Sequence, residues 1–299
     1  MEGILYQGEI TFSHKERIED IRHRNGHVLS SHAFPSLWLW RKQMGLRLYL
    51  EEELFSVKAE KYGKNTWFFP CGSEERKRAF IRSHQEEEEF ALCYLGEEDV
   101  QFLERHFGAV FEISPAPDAA EYIYDRKEME NIAGGRYSNM RKQIHKLLKS
   151  YQMRVERIDS HNLEYAMKLL RGGSVPVHKP GYHFLRDEGL AEEALQHRDI
   201  LGLFGVLIYL DGEPKSFAMG FGITPDTVDG CIERHGGEIS GISYLTQREF
   251  FLSTPKQYRF MNGEEDMGLP GLRIMKHHMA PVRKNEIWEA RLKNREERE

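Results

Sequence analysis

Residues 205–241 read GVLIYLDGEPKSFAMGFGITPDTVDGCIERHGGEISG, and this stretch contains three strand patterns followed by a glycine-bearing loop. Apolar and β-branched residues predict the strands, which cover Gly205–Tyr209, Ser216–Ile223 and Thr227–Glu233. Asp211-Gly212 separates the first two strands and is a hairpin signal, because this pair readily adopts the positive φ angles of a tight turn. The loop His235–Gly241 leads into a helical pattern over Ile242–Leu252. The stretch therefore predicts an antiparallel sheet whose third strand feeds a helix.

The flanking sequence extends this alternation in both directions. Upstream elements are a strand at Arg154–Ile158, a helix at Asn162–Leu170, a Gly/Pro-rich loop through Gly181 and a helix at Glu188–His197. Downstream elements are a strand at Tyr258–Asn262 and a helix at Leu269–Met279. The segment 114–118, Ser-Pro-Ala-Pro-Asp, has the composition of a loop, because proline supplies no backbone donor to a helix or sheet. We therefore predict two domains, residues 1–114 and 115–299.

Composition restricts the class of protein. Hydrophobic residues make up 40% and charged residues 30% of the chain, and the mean hydropathy is -0.62. No run of about 18 apolar residues is present, and the sequence does not open with a basic region and an apolar stretch. We therefore expect neither a transmembrane segment nor a secretory signal. Cys71, Cys93 and Cys231 are scattered and form no C-x-x-C pair, which favours a reducing, cytoplasmic location over a disulfide framework or a zinc site.

The order strand, helices, three antiparallel strands, loop, helix, strand, helix resembles the GNAT fold of acyl-CoA N-acyltransferases. In that fold the phosphates of the donor meet the loop and helix after the fourth strand, where free N–H groups and the helix dipole favour anions. The resemblance implies donor binding by Arg234, Gly236, Gly237 and Gly241. Ile239 departs from the pattern, since glycine or alanine is expected there. A glycine-rich turn is also an ordinary strand-to-helix connection, and both interpretations stay open.

Glu233 ends the third strand of this region, where GNAT-like enzymes commonly carry a general base. A carboxylate there could accept a proton from an attacking amine, directly or through water. The alternative is a solvated glutamate at a strand end. Many GNAT enzymes place a tyrosine acid on the last helix, but Leu269–Met279 contains no tyrosine. The acid stays unassigned, although His277 and His278 lie on that helix.

Three segments carry a more specific resemblance, and they are Glu121–Asp125, Gly134–Ile144 and Tyr258–Lys276. In the last segment a strand ends in N-x-E-x-D-x-G and the next helix carries G-L-R-x-x-K. These segments resemble a bacterial family that is grouped with the phosphatidylglycerol lysyltransferase C-terminal domain and is distantly similar to the Fem aminoacyltransferases. The resemblance implies an α+β fold of two GNAT-like domains in tandem, with mixed, mostly antiparallel sheets. Where family members have Lys-Arg-Asn this chain has Met140-Arg141-Lys142, so only Arg141 carries over.

The C-terminal segment groups polar side chains at a strand end. Asn262, Glu264 and Asp266 cluster at the end of the strand. Arg273 and Lys276 lie about one turn apart on the next helix. Such a cluster could hold the ammonium and carboxylate of a substrate, or it could be an internal ion-pair network that fixes the turn. Clustered carboxylates also suit Mg²⁺ or Ca²⁺, but the spacing is not that of a calcium loop and we predict no metal. The predicted acceptor site comprises Tyr124, Arg141, Asn262, Glu264, Asp266, Arg273 and Lys276.

Residues Arg136–Lys149 form a basic helical segment in a protein of formal net charge -6. Lys142, Lys146 and Lys149 fall on one face of this predicted helix. A basic face can contact the phosphates of a tRNA acceptor stem or of a nucleotide. A plain solvated helix face explains the same pattern. The apolar stripe opposite the lysines is predicted to comprise Ile144, Leu147, Leu148 and Tyr151.

Together these features predict an acyl- or aminoacyl-transferase that acts on an amine or hydroxyl acceptor. The donor would be acyl-CoA or aminoacyl-tRNA used as a co-substrate, and we predict no tightly bound cofactor. The acceptor would be a small molecule, a peptide or a lipid headgroup. The alternative is a non-catalytic ligand-binding protein that kept the GNAT-like fold, which the departure at Ile239 and the missing acid tyrosine favour.

Overall fold

The computed structural model describes residues 4–63, 65–172 and 189–294. The strands are β1 Tyr6–Glu9, β2 Leu46–Leu50, β3 Leu54–Ala59, β4 Asn65–Phe68, β5 Cys71–Gly72, β6 Phe90–Leu95, β7 Phe111–Pro115, β8 Glu121–Asp125, β9 Met153–Arg157, β10 Phe204–Leu210, β11 Glu213–Thr224, β12 Thr227–His235, β13 Phe260–Asn262, β14 Arg283–Asn285 and β15 Trp288–Leu292.

The helices alternate with these strands through most of the chain. They are α1 Lys15–Arg24, α2 Phe34–Met44, α3 Glu74–His84, α4 Glu97–Phe107, α5 Arg126–Asn131, α6 Ser138–Ser150, α7 Leu163–Gly172, α8 Leu190–Gln196, α9 Arg198–Leu201, α10 Ile242–Ser253 and α11 Pro270–His278. The predicted loop through Gly181 lies largely outside the described residues. Glu188, at which a helix is predicted to begin, also lies outside them, and the described part of that helix is α8.

The described residues divide into two compact units. The first contains residues up to Ala120 and those from Asn285 onward, and the second contains residues from Glu121 to Lys284. This division differs from the predicted domains, 1–114 and 115–299, at both ends of the second domain. Residues 111–115 are strand β7 rather than a loop, and β15 pairs with β6 and β7 in the sheet of the first unit. Pairing between strands so distant in sequence leaves no local signal in the chain.

The first unit contains a mixed sheet in the order β1-β2-β3-β4-β6-β15-β7, with β5 paired to β3. Strands β4 and β6 run parallel and are joined by a crossover that contains α3. The neighbouring pairs β1–β2, β2–β3 and β3–β4 are antiparallel. Aromatic residues such as Trp67, Phe80 and Phe102 fill the core beside this sheet.

The second unit contains a seven-stranded sheet in the order β14-β8-β13-β12-β11-β10-β9. Strands β9 to β12 are antiparallel neighbours, whereas β12 and β13 are parallel and are joined through α10. Val206 pairs with Ala218 across the β10–β11 hairpin, which confirms the predicted antiparallel pairing. Asp211 and Gly212 at its turn have φ angles of 51° and 83°, as the hairpin signal predicts. Each unit thus joins antiparallel strands to a helix-linked parallel pair, which confirms the predicted α+β fold with tandem GNAT-like domains.

Helix α6 packs its apolar side against the core of the second unit. Met140, Ile144 and Leu147 are buried in the cluster that also contains side chains of α10 and β10. Leu148 and Tyr151 are 40% and 37% exposed, so the apolar stripe is narrower than predicted. The helix ends before Tyr151, and a residue beyond the last turn no longer follows the helical period. Within the described ranges, no helix combines the length and apolar character that crossing a membrane requires.

Candidate functional site

The parallel strands β12 and β13 part after a short pairing. The last of their paired residues are Asp229 and Asn262. Strand β12 continues to His235. The chain after Asn262 instead stays bonded to β8, because the Gly263 amide donates to the Tyr122 carbonyl at 2.9 Å. A gap therefore opens between β12 and the segment that follows β13, and we call the point where they part the fork.

Two fully buried side chains at the fork carry polar atoms without hydrogen-bond partners. Asp229 and Asn262 are both 0% exposed. In the described part of the chain, no donor reaches either carboxylate oxygen of Asp229 when every carboxyl group is taken as ionised. No acceptor there reaches Nδ2 of Asn262. The Oδ1 atom of Asn262 accepts the backbone N–H of Glu264 at 2.7 Å. A buried polar atom without a partner costs about 1–3 kcal/mol. This arrangement is therefore typical of a site whose missing partner is a ligand.

Further carboxyl groups surround Asp229. Burial raises the pKa of Asp229 well above its usual range, and the negative charges of Glu121 and Glu265 raise it further. Burial also raises the pKa of Glu264, and the charges of Asp229 and Glu265 add to the shift. Glu264 has a φ of 58°, which is uncommon for a residue other than glycine. Backbone strain of this kind concentrates at functional sites.

Lys276 of α11 supplies a cation to this carboxyl cluster. Its side chain is buried, and Nζ donates to the backbone carbonyls of Gly263 and Glu264, the latter at 3.1 Å. Burial lowers the pKa of Lys276, while the charges of Glu264 and Glu265 oppose that shift. One ammonium therefore faces several carboxyl groups. The resulting excess of negative charge favours a cationic ligand at the fork.

Asp266 and Arg273 belong to a separate network that holds the turn between β13 and α11. The buried carboxylate of Asp266 accepts hydrogen bonds from Nε and Nη2 of Arg273 at 2.9 and 2.8 Å, from the hydroxyl of Tyr122 at 2.5 Å and from the amide of Gly268 at 2.9 Å. Burial would raise the pKa of Asp266, but these hydrogen bonds outweigh it and lower the pKa to about 2. Both residues therefore make the internal ion-pair network that the sequence left open.

Tyr124 lies beneath the segment that follows the fork. Its ring is buried, and its hydroxyl donates to the carbonyl of Lys276 at 3.1 Å. A side chain at position 263 would place Cβ 2.7 Å from this ring, so glycine is required at Gly263. The tyrosine thus positions the backbone that carries Glu264. Burial raises the pKa of Tyr124 well above its usual range.

Glu233 lies on the part of β12 that extends beyond the fork. It pairs with Ala218, a member of the core that α10 covers, and a bulge in β12 separates this side from the side that Asp229 faces. Nε2 of Gln247 donates to the Glu233 carboxylate at 2.8 Å. Burial raises the pKa of Glu233, and the hydrogen bonds from Gln247 and Ser243 oppose the shift. A half-buried carboxylate with a raised pKa is suited to accept a proton.

The loop after β12 presents backbone amides ahead of α10. The Gly236 amide donates to the carbonyl of Lys215 at 2.8 Å, whereas the described chain provides no backbone acceptor for the amides of residues 237–241. Gly237 has a φ of 78° and open space around it. Gly241 has a φ of 86°, and a Cβ there would lie 3.0 Å from the carbonyl of Gln143. Ile239 packs against the core. The first turn of α10 carries no acid, and the exposed Glu238 is the one acid of the loop, so the amides can accept an anion if the Glu238 side chain points away from it.

The structure does not bring Arg141 to the fork. Its Nη1 donates to the carbonyls of Ile132 and Gly134 at 2.5 and 3.2 Å and so fixes the loop after α5. Arg234 donates to the backbone carbonyl of Glu233 at 2.6 Å, at the start of the donor loop. The predicted donor and acceptor residues therefore do not form one site. Some lie in the loop before α10, some lie at the fork, and others belong to two networks that hold the fold.

The basic face of α6 lies next to the donor loop, because Ser240 donates to Gln143 of that helix at 2.7 Å. Arg136 is paired with Glu128 and contributes little free charge. The exposed cations share one face at helical spacing, where positions i, i+3, i+4 and i+7 coincide. They are Lys142, Lys146 and Lys149, and His145 lies on the same face.

Four residues of the fork region were missed by the sequence reasoning. Asp229 lies inside a predicted strand, next to the buried apolar residue Val228. An acid inside an apolar strand is a signal that could have marked Asp229 as a candidate functional carboxylate. The other three become neighbours only through strand pairing and helix packing. The missed residues are Glu121, Asp229, Gln247 and Glu265.

The corresponding position of the first unit is filled by the protein itself. Lys77 of α3 pairs with Asp99 at 3.4 Å and lies 5.3 Å from the rings of Phe69 and Phe102. The first turn of α3 carries two glutamates, which disfavour an anion there. The described part of the chain contains no group of three His, Cys, Asp or Glu side chains arranged to hold a metal ion. The second unit therefore holds the better candidate site.

A parallel strand pair that parts beside an amide-rich loop defines a GNAT-like transferase fold. The chain belongs to the phosphatidylglycerol lysyltransferase C-terminal family, whose profile matches residues 24–290. This is a family of aminoacyl- and acyl-transferases, as the resemblance in the sequence implies. No curated protein sequence matches the chain.

Solved structures share the fold at low sequence identity. A crystal structure of a conserved protein of unknown function from Bacteroides thetaiotaomicron is 22% identical, with a TM-score of 0.82 over 97% of this chain and 100% of that one. The structure of L-PGS from Bacillus licheniformis is 14% identical, with a TM-score of 0.62 over 94% of this chain and 92% of that one. The crystal structure of FemX is 11% identical, with a TM-score of 0.54 over 96% and 97%.

Proposed function

We propose that the second unit transfers an aminoacyl group from an activated ester to an amine or hydroxyl acceptor. The observation that carries this proposal is the buried, unpaired Asp229 at the fork. A substrate ammonium has three N–H donors and a positive charge, and it would satisfy the oxygens that the protein leaves without donors. The aminoacyl group would enter the gap between β12 and the segment after β13.

The charge at the fork favours an aminoacyl donor over an ordinary acyl-CoA thioester. A simple acyl chain has no donor for Asp229, and its burial would leave the oxygens of Asp229 unpaired. An aminoacyl group carries an α-ammonium next to its carbonyl. It therefore places a cation at the fork and the reactive carbonyl nearby.

Aminoacyl-tRNA fits the remaining features as the co-substrate. The amides of residues 237–241 can receive a phosphate. The exposed cations of α6 next to this loop can receive further phosphates of the RNA backbone. Acyl-CoA also carries phosphates for the loop but gives no role to the basic face of α6.

In the proposed reaction Glu233, which lies on the other side of the sheet from Asp229, is the base for an acceptor that approaches from that side of the gap. The acceptor nitrogen or oxygen attacks the ester carbonyl, and its proton passes to Glu233 directly or through water. The attack forms the new bond to the carbonyl carbon, and collapse of the tetrahedral intermediate restores the carbonyl and breaks the bond to the ribose oxygen, which receives the proton back. The raised pKa of Glu233 makes it a stronger base than an ordinary glutamate. The family name offers phosphatidylglycerol as one lipid-headgroup acceptor to test, beside small-molecule and peptide amines.

The test is a transfer assay with a pool of radiolabelled aminoacyl-tRNAs and each acceptor class, including vesicles that contain phosphatidylglycerol. We expect label in the acceptor with wild type, a loss of about 10²–10⁴-fold in rate with Glu233→Gln, and normal rates with Asp199→Asn. Asp199 is a matched control because its side chain is 88% exposed.

Binding of aminoacyl-tRNA without turnover would support the second candidate, a ligand-binding protein that kept the GNAT-like fold. Turnover with acyl-CoA and no binding of aminoacyl-tRNA would contradict the proposed donor.

A further inference from the structure

The carboxyl groups of Asp229 and Glu264 form a pair at the fork. Glu264 follows two residues after Asn262, the residue paired with Asp229, and burial together with the charge of Asp229 raises the pKa of Glu264. Two ionised carboxylates have only acceptor atoms, so neither acid could satisfy the other without a proton. Since no other donor in the described chain reaches the oxygens of Asp229, the pair must hold a proton when the fork is empty.

The groups that face the pair do not replace this proton. Glu121 of β8 and Glu265 after β13 add negative charge, and the thiol of Cys231 on β12 is neutral because burial raises its pKa. Lys276 of α11 faces the pair, but its Nζ already donates to two backbone carbonyls.

The nearby residues Asp266 and Arg273 form a bidentate ion pair. Their opposite charges cancel, so the pair adds no net charge to the fork. Lys276 is thus opposed by the carboxyl groups of Asp229, Glu264, Glu265 and Glu121. The directions of the pKa shifts agree with a retained proton, because burial raises the pKa of Asp229 and of Glu264.

We infer that the fork exchanges this shared proton for the cationic group of its substrate, so that substrate binding releases a proton. The inference rests on the proposed function, which places a substrate ammonium at Asp229. An ammonium beside the pair favours the ionised form of both carboxyl groups and supplies the donors that the proton supplied before. A ligand with a neutral group at this position gains nothing from ionisation and leaves the proton in place.

The exchange links affinity to pH. Between the pKa of the empty pair and its lower pKa in the complex, the complex binds one proton fewer than the free protein. Affinity for a cationic ligand must then rise with pH, by about tenfold per pH unit when one full proton is released.

Calorimetric titration of the whole protein with a non-hydrolysable ligand measures the exchange directly. The probe is the amide-linked analogue of 3′-alanyl-adenosine, and its control is the lactyl counterpart, in which a hydroxyl replaces the ammonium. Working between about pH 5.5 and 6.5 keeps the amine protonated. Repeating each titration in two buffers of different ionisation enthalpy gives the number of protons released.

We expect release of about one proton with the alanyl ligand, an affinity that rises about tenfold over that pH unit, and neither effect with the lactyl ligand. Asp229→Asn should abolish both effects, because an asparagine amide donates to Glu264 without a shared proton, whereas Asp199→Asn should keep them. Binding of the alanyl ligand without proton release would overturn the exchange and leave the proposed function standing. Failure of both ligands to bind would overturn the proposed function as well.

Discussion

Replacing Asp266 by asparagine tests whether its hydrogen-bond network holds the turn between β13 and α11. The carboxylate is bound by Arg273, Tyr122 and the Gly268 amide. Its pKa is lowered from 3.8 to about 2. At about 1.4 kcal/mol per pH unit, the ionised form stabilises the fold by about 2 kcal/mol.

The asparagine variant should lose slightly more than this amount. Asn keeps one acceptor oxygen for Tyr122, but it removes the charge and turns amide hydrogens toward Arg273. Breaking a fully buried pair costs about 3–5 kcal/mol. The side chain of Arg273 is 42% exposed, so water can hydrate the guanidinium and reduce that cost. We therefore expect Asp266→Asn to lower the free energy of unfolding by about 2–3 kcal/mol.

Urea denaturation followed by far-ultraviolet circular dichroism measures the effect. Circular dichroism is required because all 4 tryptophans lie in the first unit, so tryptophan fluorescence does not report on Asp266. The exposed Asp199→Asn variant is the control and should differ from wild type by less than about 0.5 kcal/mol. The folded-state pKa is depressed, so the advantage of wild type is complete above pH 3.8 and disappears as the pH falls toward about 2. An Asp266→Asn midpoint equal to that of the control would refute the reasoning.

Three further predictions concern other parts of the molecule. Replacing Lys142, Lys146 and Lys149 together by glutamine should weaken tRNA binding and reduce the slope of its salt dependence by about 0.7–0.9 per lost phosphate contact. The control Lys256→Gln should leave the slope unchanged. Equal, weak binding by wild type and the triple variant would contradict the tRNA contact. Gly241→Ala should destabilise by about 2 kcal/mol, more than Gly134→Ala, because both have a positive φ but only Gly241 meets a neighbouring backbone; equal losses in thermal unfolding would count against this. Burial lowers the pKa of His32 to about 4, so tryptophan fluorescence should show the first unit losing about 3 kcal/mol as the pH falls from 6.5 to about 4, and a flat profile would disprove it.

The sequence predicted the features of the second unit that local chemistry determines. The Asp211-Gly212 turn follows from the residues at the turn itself, and Pro270 marks the first turn of α11 because its missing amide is not needed there. The order of these elements, together with the resemblance, was sufficient for the GNAT-like fold. These signals lie within about ten residues of the feature they determine.

The fork could not be assembled from sequence, because its neighbours are set by strand pairing. Asp229 meets Asn262 through a parallel pairing. Glu121 approaches from β8, which comes four strands before β12, the strand of Asp229. A bulge in β12 places Glu233 and Asp229 on different sides of the sheet, and no residue pattern announces that bulge. Asp266 and Arg273 lie only 7 residues apart, but the sequence does not show whether their side chains face each other or a substrate.

Strand β15 gives the order in which the molecule can be completed during synthesis. It lies between β6 and β7, so the sheet of the first unit is closed by a strand that leaves the ribosome after the second unit. Every described residue of the second unit has emerged by then, and that unit can fold while β6 and β7 still present open edges. An open edge pairs readily with another chain. A nascent chain stalled before Trp288 would therefore carry a finished second unit and an aggregation-prone first unit, and synthesis of β15 is the step that removes this hazard.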